Sequence, residues 1–146
     1  HYPLRRQRQM CIRDRNTPNE DIQRIADAAR NSSEAELTAA RVEVGTEALT
    51  VAWQFTGEPF LGYATFGLYT DTHTFNAKFD GFERDSMSLA LRATGVTTYV
   101  DFRHEYTETE FRVVIPYGEW DPSDKQAALE LNVNGVTRGT LSGIVL

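Results

Sequence analysis

The sequence predicts an all-β fold, an antiparallel sandwich of about eight or nine strands with jelly-roll or immunoglobulin-like architecture and one short N-terminal helix. Three observations predict it. Bulky apolar residues recur at every second position from about Leu37 onward, the period of a pleated strand with one buried face. Polar or glycine-containing turns interrupt those runs at short intervals. No strand is followed by a helical crossover of the kind that parallel pairing requires.

The helix comes first. In Thr17-Pro18-Asn19-Glu20 a threonine can cap, proline fits the first helical turn, and a glutamate three residues on completes a capping box. Ile22, Ile25 and Ala29 then share one face, and Asn31-Ser32-Ser33 ends the segment. Residues 16–34 are therefore read as a short helix and linker, too short to be stable alone. The helix is either the tail of an upstream domain or a lid packed on the sheet.

The strands follow. Ala40, Val42 and Val44 alternate with Arg41 and Glu43, and Gly45-Thr46-Glu47 turns the chain. Leu49, Val51, Trp53 and Phe55 then point one way and Thr50, Ala52 and Gln54 the other, which makes this hairpin the clearest in the sequence. Further strands are predicted over 63–69, 74–79, 88–92, around Thr98, Val100 and Phe102, over 111–115, around Leu129, Leu131 and Val133, and from Val136 onward. Asn134-Gly135, between the last two, is the dipeptide preferred in two-residue type I′ hairpins.

Composition bounds the function. Residues His1 to Arg15 resemble the in-frame translation of an adapter used in transposase-based sequencing libraries; Arg5 to Arg15 back-translate to it codon by codon. On that reading they lie outside the fold, and the basic run Arg5, Arg6, Arg8, Arg13, Arg15 is not a targeting or nucleic-acid motif. Setting aside its five arginines and one aspartate leaves ten basic against twenty acidic residues, a net charge near −10. Cys11, the one cysteine, goes with it, so no disulfide framework or thiolate metal site is expected. A chain with so few cations is a poor partner for phosphate backbones, and nucleic acid is not expected. No apolar run reaches the roughly 18 residues of a membrane-spanning helix, so no membrane insertion is expected. The acidic, lysine-poor surface suits an extracellular, cell-surface or saline setting.

Several residue groups could carry chemistry. Asp80-Gly81-Phe82-Glu83-Arg84-Asp85 places Asp80, Glu83 and Asp85 in one turn, a set of hard oxygens suited to calcium. The spacing fits no EF-hand, and a solvated hairpin turn is the alternative; no other cofactor is expected. Glu105, Glu108 and Glu110, with Asp101 and His104, form a second acidic stretch in which paired carboxylates could serve glycoside hydrolysis. Ser86, His104 and Asp101 compose a triad only on paper, without a nucleophile-elbow motif. Tyr117-Gly118-Glu119-Trp120-Asp121-Pro122 offers Tyr117 and Trp120 flanked by carboxylates at a strand end, where sandwich domains carry binding loops. The competing reading has Trp120 folding back to cap the core. Phe60, in Gly57-Glu58-Pro59-Phe60-Leu61-Gly62, is a similar candidate ligand contact.

The stretch from Ala35 to Val44, followed by Ala48-Leu49-Thr50-Val51-Ala52-Trp53-Gln54-Phe55, resembles the opening hairpin of bacterial extracellular β-sandwich domains of the DOMON and family-nine carbohydrate-binding-module kind. Phe111-Arg112-Val113-Val114-Ile115-Pro116 is similar to a later strand of that group, and the resemblance covers residues 35–146. It implies a sandwich in an exported protein, and no haem or sugar ligand set transfers onto particular residues. The expectation is a non-catalytic ligand-binding or accessory module of an exported bacterial protein, with a small glycan as ligand and a further domain upstream. The alternatives are a jelly-roll hydrolase using the Glu105–Glu110 carboxylates and a lipocalin-like carrier. The carrier predicts a cavity between the strands.

Overall fold

A computed structural model describes residues 34–80, 84–120 and 123–146. The expected helix, the adapter-like segment and Glu83 lie outside the described residues. The rest is a β-sandwich: two antiparallel sheets, one of four strands and one of six. The strands are β1 (Glu36–Val44), β2 (Ala48–Thr56), β3 (Tyr63–Tyr69), β4 (His73–Asp80), β5 (Arg84–Leu91), β6 (Val96–Val100), β7 (Arg103–Tyr106), β8 (Glu110–Pro116), β9 (Gln126–Val133) and β10 (Val136–Val145). The small sheet runs β1-β2-β8-β7 and the large one β10-β9-β3-β4-β5-β6.

Alternation decides the layers. Leu49, Val51, Trp53 and Phe55 of β2 and Phe111, Val113 and Ile115 of β8 are no more than 2% exposed. They face Ala64, Phe66 and Leu68 of β3, Phe75 of β4, and Leu129 and Leu131 of β9, all fully buried. Ring contacts join the sheets: Trp53 meets Phe66 at 5.9 Å between centroids, and Phe111 meets Phe66 at 4.8 Å. Each large apolar side chain buried here stabilises the fold by roughly 1.5–3 kcal/mol. Trp53 also donates its indole N–H to the Gly67 carbonyl at 3.0 Å, so its one polar atom is satisfied inside the core.

The two sides of the sandwich differ. At one side β1 packs against β10, and a Cβ on Gly139 would sit 2.7 Å from Leu37 Cβ; with φ at +124°, glycine is the residue this bulge accepts. At the other side β6 and β7 are the free edges of their sheets, and Phe102, 8% exposed, closes the core where the chain passes between them. The Asn134-Gly135 turn has φ of +53° and +82°, as the predicted type I′ hairpin requires.

Two strand assignments change. Phe102 does not extend β6 but lies in the crossing between sheets, and the acidic stretch after it contains a strand of its own, β7. That strand alternates Arg103 and Glu105 with His104 and Tyr106, so it carries no aliphatic signal. β5 begins at Arg84, four residues before the start expected at Ser88, because the ladder with β4 continues through the polar pairs Asp80↔Arg84 and Lys78↔Ser86.

Candidate functional site

The sequence-derived candidates fall at opposite ends of the sandwich. β2 starts beside the end of β8 (Ala48↔Pro116) and finishes beside its start (Gln54↔Glu110). Tyr117 and Trp120 therefore cap one end, and Phe60, on the 3-10 turn Pro59–Leu61 after β2, caps the other. They do not converge on one ligand.

Trp120 is 1% exposed and part of the core cluster. Its indole stacks on His73 with centroids 4.8 Å apart, and its N–H donates to Asp124 Oδ2 at 3.3 Å. Asp124, 8% exposed, also accepts from Thr72 Oγ1 at 2.6 Å. Because that hydroxyl proton is committed to Asp124, the 2.7 Å contact between Thr72 Oγ1 and His73 Nδ1 places the imidazole proton on Nδ1. Burial pushes the Asp124 carboxyl upward, but hydrogen bonds from Thr72, Thr70 and Trp120 to its charged form outweigh that and hold it below the ordinary carboxylate value. The half-buried Tyr117 donates its hydroxyl to the Gly45 carbonyl at 2.6 Å. This end is a hydrogen-bonded plug.

Phe60 is half-buried among aromatic rings. It lies 5.5 Å from Phe55, 5.4 Å from Phe66, 5.1 Å from Phe79 and 4.5 Å from Tyr106. Among the acidic candidates, Asp80 pairs with Arg84 across the ladder and Asp85 with Phe79. Successive side chains alternate across a sheet, and Asp85 lies 3.8 Å from His104 Nε2 at the open edge. Asp80 and Asp85 both border a shallow pocket of about 180 Å³, but Lys78 borders it too. Among the described residues no group of three or more histidine, cysteine, aspartate or glutamate side chains is placed to hold a metal ion.

A surface that the sequence did not single out has the composition of a recognition site. On the solvent face of the six-stranded sheet, Gly67, Asn76, Ser88 and Tyr99 form one row across β3, β4, β5 and β6. Thr74 and Ala90 flank it on one side, Lys78 and Ser86 on the other. Tyr99 is 78% exposed. At the opposite end, Tyr69 lies over Gly67: a Cβ there would meet the phenol oxygen at 2.6 Å, so only glycine leaves the ring its place. The Tyr69 hydroxyl donates to Glu130 Oε1 at 3.3 Å, and Glu130 Oε2 accepts from Thr140 at 3.3 Å. Burial, then the charge and hydrogen bond of Glu130, raise the Tyr69 phenol above its ordinary value, keeping it a neutral donor. Three strand spacings, about 14 Å, separate Gly67 from Tyr99. Two tyrosines thus bracket a floor of short polar side chains.

Reading this row from sequence requires the strand order. Each outward position is legible from alternation, but β9 inserts beside β3 by a long-range pairing, which brings Glu130 to Tyr69. No family model, curated protein or solved structure matches this chain.

Proposed function

We propose that this β-sandwich is a non-catalytic ligand-binding module of an exported bacterial protein, and that it binds a neutral glycan across the outer face of the six-stranded sheet. The observation that carries the proposal is the row from Tyr69 over Gly67 through Asn76 and Ser88 to the exposed ring of Tyr99. A sugar presents apolar C–H faces and a ring of hydroxyls. Rigid tyrosine rings supply contact area at low entropic cost, and serine, threonine and asparagine supply adaptable hydrogen bonds. The exported bacterial setting follows the resemblance of residues 35–146 to extracellular sandwich domains.

The two alternatives find less support. A hydrolase needs two carboxylates converging on one cleft. Instead Glu105 is ion-paired with Arg112, Glu110 Oε2 lies 3.6 Å from Arg41, and Glu108 is exposed between β7 and β8. A lipocalin-like carrier needs a hollow interior, and the space between the sheets holds Trp53, Phe66, Phe75 and Phe111 in mutual ring contact.

Screening on an array of neutral oligosaccharides, followed by isothermal titration with the best binder, tests the proposal. Tyr99→Ala removes an exposed ring and leaves the melting temperature unchanged. A stacking ring of this kind is worth on the order of tenfold in affinity. Absence of binding across the array, or an affinity that Tyr99→Ala and Asn76→Ala both leave untouched, overturns it.

A further inference from the structure

The solvent face of the four-stranded sheet has a different character. Its rows are Glu43–Thr50–Val114–Arg103 and Arg41–Ala52–Arg112–Glu105. Alternation leaves short side chains, Thr50 and Ala52, at the centre of the sheet, with long charged ones around them. A groove of about 460 Å³ results, lined by Thr50, Arg103, His104, Glu105, Arg112 and Val114. That volume lies in the range of small-molecule sites.

The charges in the groove are unevenly spent. Arg112 pairs with Glu105, whereas Arg103 has no acidic partner among the described residues. Two guanidinium groups therefore face one carboxylate, in a chain whose net charge is −6. A guanidinium offers a planar fork of donors matched to an oxyanion. Glu105 shows where one carboxylate sits on Arg112, and Arg103 is left to receive a second. The surplus of one positive charge fits a monoanion; a phosphate monoester would bring a second negative charge beside Glu105. The Thr50 hydroxyl on the groove floor adds a neutral donor and acceptor for a hydroxylated ligand.

We infer that this groove is a second binding site, for a small hydroxylated monocarboxylate of the sugar-acid type, held by Arg103 with Arg112 and Thr50 as secondary contacts. It shares no residue with the tyrosine-bracketed row on the other sheet, so either site can fail without the other. Glu105 acts as an internal competitor for Arg112, and this gives the inference a consequence that a purely structural ion pair lacks. Removing the Glu105 charge frees the Arg112 fork and tightens binding.

Isothermal titration of the full chain with sodium glucuronate, at low and at moderate salt, tests the site; glucose and inorganic phosphate serve as comparison ligands. In the Tyr99→Ala chain, which lacks the exposed ring of the other site, glucuronate is expected to bind and glucose to bind at least tenfold more weakly. Arg103→Gln is expected to cost on the order of tenfold for glucuronate, Glu105→Gln to improve it several-fold, and added salt to weaken it. Arg103 and Glu105 are both exposed, so melting curves should show the variants folded. Tyr99→Ala should leave glucuronate binding intact. Glucuronate binding to the Tyr99→Ala chain no better than glucose, phosphate binding better than glucuronate, a silent Arg103→Gln, or a Glu105→Gln variant that does not bind more tightly each overturns the inference.

Discussion

The two ends of the sandwich are closed by different chemistry. Around Trp120 the closure is polar: an indole, two threonines and a histidine are organised on the buried Asp124 carboxylate. Around Phe60 it is apolar, five rings packed at centroid distances between 4.5 and 5.9 Å. Aromatic residues in end loops look alike in a sequence, yet one end is held by directional bonds that depend on charge and the other by contact area that does not. In both, the loop aromatics Trp120 and Phe60 pack against the interior.

The largest effect expected from this contrast is at the polar end. Trp120→Ala removes a fully buried indole and strands the Asp124 carboxylate without one donor, so it should cost about 3–5 kcal/mol by denaturant unfolding. A cost below about 1 kcal/mol would mean that the indole is not the plug described. Phe60→Ala comes next. Its ring is half-buried, and its loss should cost about 2 kcal/mol, with the same penalty at pH 4 and pH 7 because no titrating group depends on it.

These two residues also show how far sequence reading reached. Period two located the sandwich and the buried faces of β2 and β8, because Leu49, Val51, Trp53 and Phe55, or Phe111, Val113 and Ile115, must share one face whatever their partners are. β7 escaped because Arg103, His104, Glu105 and Tyr106 alternate in polarity too weakly to register. Trp120 was legible as either a cap or a ligand contact. Choosing between them needed Asp124 and Thr72, which are 52 residues apart in sequence and 2.6 Å apart in space. The tyrosine row was illegible for the same reason: Tyr69 and Glu130 meet across 61 residues.

Charge sharpens the contrast further. Asp124 is held below its ordinary value, so its contribution to stability is fully present above the unfolded carboxylate value of about 3.9 and is lost as pH falls through the lower native value. Wild-type protein should therefore lose stability as pH drops below about 4. Asp124→Asn keeps the shape but not the charge. It should cost roughly 1–2 kcal/mol at neutral pH and flatten that acid limb, as read from melting temperatures between pH 2.5 and 7. An unaltered acid limb would show that the carboxylate is not what the polar end relies on. Tyr69 gives the opposite sign on the outer face. Its phenol is raised, so its contribution is intact below the unfolded value of about 10 and declines above it.

The smallest expected effect separates support from recognition at Tyr117. Its hydroxyl bonds the Gly45 carbonyl across the β1–β2 turn at 2.6 Å, and its backbone N–H bonds the Glu47 carbonyl at 3.1 Å. The side chain thus ties the loop after β8 to that turn. Tyr117→Phe keeps the ring and removes only the hydroxyl, so it should cost about 0.5–1.5 kcal/mol, the usual net value of one hydrogen bond, and leave glycan affinity unchanged. Tyr117→Ala removes the ring as well. Should Tyr117→Ala abolish glycan binding while Tyr99→Ala leaves it intact, the ligand would sit at the polar end after all, and the division between closed ends and open faces would have to be redrawn.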